Sequence, residues 1–164
     1  MIKLSVAGKV IIYPKRLLKI RRYEMGLQSE IKDAVNWKAP AVTLQNSLGE
    51  VIQKMVNNNA SALVVKTDDD AVAGIVTEMD LIDCISNKKD LDKTKVAEFL
   101  TPCELITDDR LTKSPCAQLD ESQSVENSIK VLSASGTHNL LVSGASDKEV
   151  GIASIRDLLK LFIS

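Results

Sequence analysis

Apolar and polar positions follow a pattern that repeats 77 residues further along the chain. Two stretches carry apolar residues at helical spacing, namely Leu48, Ile52 and Met55 in the first copy and Val125, Ile129 and Leu132 in the second. Short apolar runs that suit buried strands follow them, Ala62 to Val65 and Asn139 to Val142. After a polar turn, each copy continues with a second strand, Val72 to Val76 or Val150 to Ser154. An apolar closing helix completes it, with Leu81, Ile82 and Ile85 or with Leu158, Leu159 and Phe162.

A strand-to-helix corner with the same chemistry ends the second strand of both copies. The sequence Gly74-Ile75-Val76-Thr77-Glu78-Met79-Asp80 recurs as Gly151-Ile152-Ala153-Ser154-Ile155-Arg156-Asp157. Both versions have a hydroxyl at the strand end and a carboxylate three residues later. Internal repeats decide architecture before any local motif does. The duplication indicates paired ligand sites rather than a single catalytic centre.

Each copy is predicted to run helix, strand, strand, helix, after a short extended piece around Val42 to Leu44 or Ala117 to Leu119. A three-stranded sheet of this size buries too little apolar surface to be stable alone. We therefore expect an α/β (α+β) fold in which two β-α-β-β-α repeats pack sheet to sheet with pseudo-twofold symmetry. The register of the repeat slips upstream of Ser47, because Pro40 and Pro115 are 75 positions apart.

The order of elements and the repeated Gly-apolar-x-Thr/Ser-x-x-Asp motif resemble those of the tandem CBS domain, also called the Bateman module. The resemblance covers roughly Ile31 to Ser164. It implies CBS repeats at residues 31–85 and 114–164, separated by a linker with a short helix at 86–113 and preceded by a basic extension at 1–30. It also implies a regulatory module that binds an adenosine-bearing ligand and forms a homodimer.

The second corner has the groups that an adenine nucleotide site needs. A strand end followed by a helix start brings together free backbone N–H groups and the positive end of the helix dipole, which favour an anion. Asp157 offers acceptor oxygens to the vicinal hydroxyls of a ribose, and Arg156 offers a planar cation to a phosphate. The same spacing is close to that of a capping box, so a purely structural role for Ser154 and Asp157 stays open.

The first corner is less suited to a polyphosphate. It has Met79 where the second corner has Arg156, and Glu78 adds a negative charge. We expect the Asp157 corner to be the better nucleotide site. We expect the Asp80 corner either to be empty or to hold a nucleoside or a sulfonium ligand such as S-adenosylmethionine.

Further candidate ligand contacts follow from the resemblance. His138 stands where family members often carry a basic residue near the ligand phosphates, although a lone histidine before an apolar strand is more often structural. The segment that often borders the base corresponds to Pro40, Ala41, Val42, Cys116 and Ala117. The predicted ligand-binding set is completed by Thr77, Asp80, Ser154, Arg156 and Asp157.

Composition argues against several other classes of protein. The hydrophobic fraction of 45% and the charged fraction of 26% are those of an ordinary globular domain. No apolar run approaches the ~18 to 20 residues of a membrane span, and the N-terminus lacks the features of a secretory signal, so the cytoplasm is the expected location. Cys84, Cys103 and Cys116 are an odd number without close pairing, which argues against a disulfide framework.

Sequence motifs for metal binding or catalysis are missing. One histidine and three scattered cysteines do not supply the clustered ligands of a zinc site. The chain lacks GxGxxG, the phosphate loop and the GxSxG elbow, and one histidine leaves few nucleophile-base pairs. We expect no enzyme activity and no required cofactor, with AMP, ADP, ATP or S-adenosylmethionine acting as a regulatory ligand.

Charge is unevenly distributed, although the formal net charge is only −1. Residues 1–23 hold seven basic residues and no acid, which leaves a net charge of −8 on the rest of the chain. Such an arm is typical of contact with nucleic acid, an anionic membrane or an acidic partner. We favour contact with the acidic body of the chain's own dimer, because the interleaved apolar residues need burial. Pro14 separates a short extended piece from a helix that begins near Lys15.

Three functions remain open on this basis. The first is a module that senses an adenosine-bearing metabolite and signals to an unidentified protein partner through a change between two states. The second is a ligand-free dimerisation scaffold whose hydroxyl and carboxylate pairs only cap helices. The third is a nucleic-acid-binding protein that acts through the basic arm. Tandem ACT domains are a rival fold, but their βαββαβ order fits the pattern worse.

Overall fold

The computed structural model describes the backbone of residues 2–6, 9–13, 15–107, 114–146 and 148–163. Strands β1 (Ile2–Val6) and β2 (Lys9–Tyr13) form an antiparallel hairpin, and helix α1 (Lys15–Gln28) follows. The helix after Pro14 is confirmed, whereas the hairpin replaces the single extended piece expected there. Side chains before Ile20 lie outside the description. The contacts expected for the basic arm, with its own dimer or with nucleic acid, therefore stay predictions.

The first repeat has the predicted order of elements. A 3-10 helix at Ile31–Ala34 precedes it, and its elements are β3 (Ala41–Thr43), α2 (Leu48–Asn57), β4 (Ala62–Lys66), β5 (Val72–Thr77) and α3 (Glu78–Ser86). Strand β4 lies in the middle of the sheet, parallel to β3 and antiparallel to β5. The short helix predicted in the linker is present as a second 3-10 helix at Val96–Glu98.

The second repeat has the same order with one added strand. Its elements are β6 (Glu104–Leu105), β7 (Ala117–Asp120), α4 (Val125–Ser135), β8 (Asn139–Ser143), β9 (Val150–Ser154) and α5 (Ile155–Lys160). The added strand is β6, which the linker supplies and which lies parallel to β7. Helix α5 is shorter than expected, since it ends at Lys160 and leaves Phe162 in the turn that follows.

The repeat register extends further upstream than the proline spacing predicts. Ala41 pairs with Val64 and Gln118 pairs with Leu141. Val64 and Leu141 are themselves 77 residues apart. Strand β7 therefore matches β3 in the 77-residue register, without the expected slip.

Side-chain caps begin the first long helix of each repeat. The hydroxyl of Ser47 accepts the backbone N–H of Glu50 at 3.3 Å, and the Glu50 carboxylate accepts the backbone N–H of Ser47 at 2.6 Å. The two bonds together form a reciprocal capping box. The hydroxyl of Ser124 accepts the backbone N–H of Asn127 at 3.1 Å, and this cap is one-sided.

The two sheets pack face to face, which confirms the predicted architecture. The core between them combines apolar side chains of both repeats, namely Ala62, Val64, Ile75, Cys116, Leu141 and Ile152. The helices of each repeat cover the opposite face of its own sheet and enclose a separate core. A fully buried branched side chain stabilises a fold by about 1.5–3 kcal/mol. The shared core therefore joins two sheets that are too small to stand alone.

Each repeat also receives a short helix from the segment that precedes the other repeat. Ile31 and Ala34, which come before the first repeat, are buried in the core of the second. Val96 is buried in the core of the first repeat, with Phe99 and Leu100 packed against it. The two repeats are therefore held together by an exchange of segments as well as by their sheets.

The expectation that the cysteines form no disulfide is wrong. Cys103 and Cys116 are bonded, with Cα atoms 4.5 Å apart. The linker turns back on itself so that the backbone N–H of Glu104 donates to the carbonyl of Cys116 at 3.0 Å, which brings the two side chains together. The sequence does not reveal this path of the linker. Cys84 is a free buried thiol, and burial raises its pKa.

The C-terminal half of α1 packs against the second repeat. The rings of Tyr23 and Phe162 have centroids 5.7 Å apart. A Cβ on Gly26 would come within 2.9 Å of the Phe162 ring, so the helix approaches closely at that point. Ile20 and Met25 remain exposed. The chain's own body therefore covers only one side of this helix.

Candidate functional site

A cavity of about 1590 Å³ opens where the two repeats meet. Its walls come from α2 and α3 of the first repeat, from α5 of the second, and from the segment between Asp33 and Pro40. The predicted site residues in its lining are Pro40, His138, Ser154, Arg156 and Asp157. The structure therefore brings together the part of the predicted set that belongs to the second corner.

Ser154 and Asp157 form a capping box at the start of α5. The Ser154 hydroxyl donates to Asp157 Oδ2 at 2.6 Å, and the backbone N–H of Ser154 donates to the same oxygen at 3.3 Å. The backbone N–H of Asp157 donates in turn to Ser154 Oγ at 3.2 Å. The structural role that the spacing left open is thus present. It engages one of the two carboxylate oxygens.

The other oxygen of Asp157 faces an exposed lysine. Lys160 Nζ lies 2.7 Å from Asp157 Oδ1, and the Lys160 side chain is 61% exposed. An exposed ion pair of this kind contributes about 0–1 kcal/mol. A ligand hydroxyl that bonds to Oδ1 therefore has little to displace, and Oδ1 is the atom of Asp157 that suits recognition.

The electrostatics of the second corner keep its carboxylate ionised among basic side chains. Burial by itself raises the pKa of Asp157, but hydrogen bonds from Lys160 and Ser154 outweigh it and lower the pKa below its ordinary value. The acidic Asp33 and Glu78 line the same cavity and oppose an anion, whereas Arg156 and Lys160, with His138 beside them, favour one. Because α5 has only six residues, the attraction for an anion depends mainly on these side chains rather than on the helix dipole.

The first corner has the same capping box, but the second carboxylate oxygen of its aspartate bonds to a different kind of residue. The hydroxyl and the backbone N–H of Thr77 each donate to Asp80 Oδ2 at 2.7 Å. Asp80 Oδ1 accepts the hydroxyl of Thr101 at 3.0 Å. Neither Thr77 nor Asp80 lines the large cavity. Both carboxylate oxygens at this corner are therefore engaged within the protein.

The glycine that opens each motif allows a neighbouring segment to approach the strand. A Cβ on Gly74 would lie 2.4 Å from the carbonyl oxygen of Thr101, and a Cβ on Gly151 would lie 2.4 Å from the Val35 side chain and 2.8 Å from the Asn36 carbonyl oxygen. These distances are too short for any side chain. The two glycines serve the exchange of segments between the repeats.

The remaining predicted residues lie away from the large cavity. Ala41 lines a smaller cavity of about 290 Å³ that shares Ala39 with the larger one. Val42 and Ala117 are buried in the cores of the first and second repeats. Cys116 is fully buried in its disulfide. The contact of these residues with a ligand base stays a prediction.

Sequence reasoning missed a wall of the cavity. Asp33, Val35 and Asn36 reach the second corner because the 3-10 helix before the first repeat is exchanged onto the second. The available signal is the likeness of the two short apolar helical segments, Ile31 to Val35 and Val96 to Leu100, which stand before the two repeats. By itself, that likeness does not show that each short helix packs against the other repeat.

Two features are absent from the described parts of the chain. Within them, no group of three or more His, Cys, Asp or Glu side chains is placed to hold a metal ion. Within the same residues, no helix combines the length and the apolar character that crossing a membrane requires.

Comparison with known proteins agrees with this architecture. The family model of the CBS domain matches residues 31–87. A CBS domain of known crystal structure is 26% identical, with a TM-score of 0.67, and the match covers 83% of this chain and 98% of that one. An uncharacterized 17.7 kDa protein of Acidianus ambivalens is 23% identical over 137 residues, which are 84% of this chain and 75% of that protein.

A ligand-bound structure is also among the similar folds. The CBS domain of a bacterial CNNM/CorC family Mg²⁺ transporter, solved in complex with ATP, has a TM-score of 0.70 at 15% identity and covers 92% of this chain and 98% of its own. At that identity the likeness shows the fold alone. Together with the two repeats described above, residues 31–87 match the CBS domain and the chain has the fold of CBS-domain proteins. This family is generally regulatory rather than catalytic.

Proposed function

We propose that this chain is a regulatory module that senses an adenosine-bearing ligand at its second corner. The observation that carries the proposal is the placement of Asp157 in the cavity between the repeats, where its Oδ1 faces an exposed lysine and Arg156 lines the same wall. A cavity of about 1590 Å³ is large enough for a nucleotide with its phosphates, since ligand pockets typically measure about 300–1,000 Å³. The ATP complex of a similar CBS domain supports this choice.

The chemistry of the second corner favours a nucleotide over a sulfonium ligand. A ribose hydroxyl donates to Asp157 Oδ1 and displaces Lys160 from it, while Oδ2 keeps its bonds to the cap. Lys160 and Arg156 then neutralise phosphate oxygens, with His138 as a further contact on the same wall. The same cations repel S-adenosylmethionine. AMP, ADP and ATP are therefore the ligands proposed for this corner.

Binding is expected to change how the two repeats are arranged. The cavity is lined by the second corner and by α3 of the first repeat, so a ligand contacts both halves. A ligand shifts an equilibrium between two arrangements only by its difference in affinity for them. A nucleotide that bridges the halves supplies such a difference, and the changed arrangement signals to a protein partner.

An exposed apolar surface supports a homodimer. It is formed by the end of α2 together with α3 and α5, and its residues are Val56, Met79, Ile82, Ile85, Ile155 and Leu159. All of them except Met79 also line the large cavity, so a partner on this surface would cover the ligand site. Exposed apolar patches of this kind mark interaction sites. Sedimentation analysis should show a dimer, and Ile82→Glu should dissociate it without unfolding the chain, because Ile82 is 57% exposed. A monomeric wild-type chain contradicts the dimer.

Thermal melting with a panel of ligands tests the proposed function. A ligand that binds only the folded chain at 100 times its dissociation constant adds about 2.7 kcal/mol to the stability. We expect AMP, ADP or ATP to raise the melting temperature by several degrees, and S-adenosylmethionine to have a smaller effect. If all four leave the melting temperature unchanged, the sensing function is wrong.

The second candidate function is a dimerisation scaffold without a ligand. The two capping boxes favour it, because they give Thr77, Asp80, Ser154 and Asp157 a structural role. The melting panel separates the two functions, since a scaffold shows no shift with any nucleotide. Neither function involves catalysis or a required cofactor.

A further inference from the structure

Equivalent positions beside the two corners hold an alanine and a half-cystine. Ala41 and Gln118 occupy the same position in β3 and β7, so Ala39 and Cys116, two residues upstream, are equivalent. Ala39 lines both cavities. Cys116 is fully buried and joined to Cys103 between the two sheets. Beside the first corner, the disulfide therefore stands at the position that an alanine occupies beside the second.

The segment that enters this disulfide covers the first corner. The Thr101 hydroxyl donates to Asp80 Oδ1 at 3.0 Å, and the backbone N–H of Ile75 donates to the Thr101 carbonyl at 3.4 Å, which is a long hydrogen bond. The Thr101 carbonyl also occupies the space beside Gly74. The disulfide adds a covalent link between this segment and the start of β7.

The second corner has neither the hydroxyl contact nor the covalent link. Asn36 takes the place of Thr101 there, and its side-chain oxygen accepts the backbone N–H of Lys38 at 3.1 Å. Oδ1 of Asp157 faces the exposed Lys160 instead. The closure of the first corner thus involves the Thr101 hydroxyl and the disulfide, both downstream of its motif. The packing of Leu100 and the hydrogen bonds from Glu104 and Ile106 to the start of β7 also hold this segment.

We propose that the Cys103–Cys116 disulfide is a redox-controlled plug, whose reduction opens the Asp80 corner to a second adenosine-bearing ligand. This inference rests on the proposed function, because the ligand class is carried over from the Asp157 corner. Met79 stands at the repeat position of Arg156, and Glu78 adds a negative charge, so the second ligand is an uncharged nucleoside or a cationic adenosine such as S-adenosylmethionine. The chain then has one ligand when oxidised and two when reduced.

The reductant is a dithiol, and its point of attack follows from exposure. Cys103 is half-buried whereas Cys116 is fully buried. A thiolate of the dithiol attacks Cys103 Sγ, the protein S–S bond breaks, and Cys116 leaves as a thiolate that takes up a proton. The second thiol of the reductant then releases Cys103 and forms a cyclic disulfide. Two electrons and two protons pass to the protein, and oxidation reverses the step.

Calorimetric titration of the full chain in both redox states tests the plug. Adenosine and S-adenosylmethionine are titrated separately into the air-oxidised chain and into the chain reduced with dithiothreitol. We expect the stoichiometry for adenosine to rise from one to two on reduction. S-adenosylmethionine should bind at the newly opened corner alone. Asp80→Ala should remove the additional adenosine site from the reduced chain and leave the oxidised chain unchanged.

A cysteine variant separates loss of the disulfide from other effects of the reductant. Cys103→Ser should bind two molecules of adenosine without any dithiothreitol, since the half-buried position tolerates a serine and Cys116 keeps its sulfur. Cys84→Ala is the matched control, because it removes the free buried thiol and leaves the plug intact. It should behave as the wild-type chain does in both redox states.

Amide hydrogen exchange distinguishes failure of this inference from failure of the proposed function. Reduction should speed exchange at residues 74–80 and at Thr101 even without ligand. A stoichiometry that stays at one after reduction overturns the plug. If neither AMP, adenosine nor S-adenosylmethionine binds in either state, the proposed function is wrong, and amide exchange alone decides the plug: faster exchange supports it and unchanged exchange overturns it.

Discussion

The two corners of this molecule share a backbone and a motif but differ in what surrounds their carboxylates. Each aspartate closes a capping box through Oδ2. Oδ1 of Asp157 faces an exposed lysine in the wall of a large cavity, whereas Oδ1 of Asp80 accepts a hydroxyl from Thr101 beside a disulfide. The motif therefore has a structural role, as a helix cap, at both corners. Residues outside it make one corner suitable for a ligand and close the other.

The largest expected effect concerns a feature that the corners have in common. Gly74→Ala and Gly151→Ala should each destabilise the chain by about 3 kcal/mol, because the new Cβ would lie 2.4 Å from the neighbouring segment. Gly136→Ala is the control, since its Cβ meets nothing within 4 Å and only the positive φ of 71° costs about 1 kcal/mol. Urea denaturation measures all three. Equal losses at Gly74 and Gly136 would contradict the close approach.

Replacing each aspartate in turn should show that AMP affinity depends on the second corner and not on the first. Asp157→Ala should weaken AMP binding about 10- to 100-fold, because a hydrogen bond to a charged group is worth about 1.5–3 kcal/mol. Asp80→Ala removes an equivalent capping box from the other corner and so controls for stability. In the oxidised chain it should leave AMP binding unchanged. Calorimetry checks both variants, and a greater loss with Asp80→Ala reverses the ranking of the corners.

Exchanging the residue before the carboxylate should change ligand preference. Arg156→Met gives the second corner the residue that Met79 provides at the first. We expect affinity for ATP to fall about tenfold, which corresponds to about 1.4 kcal/mol, and affinity for adenosine to stay the same. Competition with a fluorescent nucleotide measures both. An equal loss for ATP and adenosine would mean that Arg156 does not contact phosphate.

The hydroxyl that closes the first corner should have a smaller effect. Thr101→Val keeps the shape of the side chain and removes the donor to Asp80 Oδ1. We expect a loss of about 1 kcal/mol in the free energy of unfolding. AMP binding at Asp157 should not change. A variant as stable as the wild type would show that this hydrogen bond does not hold the segment.

The smallest expected effect is on pH dependence at the second corner. The folded pKa of Asp157 lies below its unfolded value of about 3.9, so its contribution to stability is present above that pH and is lost as pH falls through the folded pKa. Lys160→Met removes one of the hydrogen bonds that lower the pKa of Asp157. The variant should be less stable than wild type by under about 1 kcal/mol at pH 6, and the difference should shrink as pH falls below about 3.9 and through the folded pKa. Urea denaturation at several pH values measures the difference in the free energy of unfolding. A difference that does not change with pH would contradict this prediction.

Much of the fold was predictable because it is local and periodic. The apolar spacing of α2 and α4 and the runs of β4 and β8 specify their elements directly, and the hydroxyl-carboxylate spacing specifies the helix starts. The exchange of Ile31 and Ala34 onto the other repeat was not predictable, since a short apolar helix fits either core. The disulfide was missed for a similar reason. Its formation depends on the path of a linker with no periodic pattern.

The candidate site was predictable only at its second corner. Ser154, Arg156 and Asp157 line the cavity because the motif itself carries them there. Val42 and Ala117 lie in cores because the strands β3 and β7 turn these side chains toward their own helices. The engagement of Asp80 by Thr101 joins residues 21 positions apart through the linker. No spacing rule of helices or strands predicts that contact.

Crystals of the oxidised chain grown with AMP would test the difference between the corners most directly. The account predicts one nucleotide per chain, with a ribose hydroxyl bonded to Asp157 Oδ1, Lys160 moved toward the phosphate, and Thr101 still bonded to Asp80. A nucleotide at Asp80 with the disulfide intact would contradict it. So would AMP bound elsewhere while the Asp157–Lys160 pair stays in place.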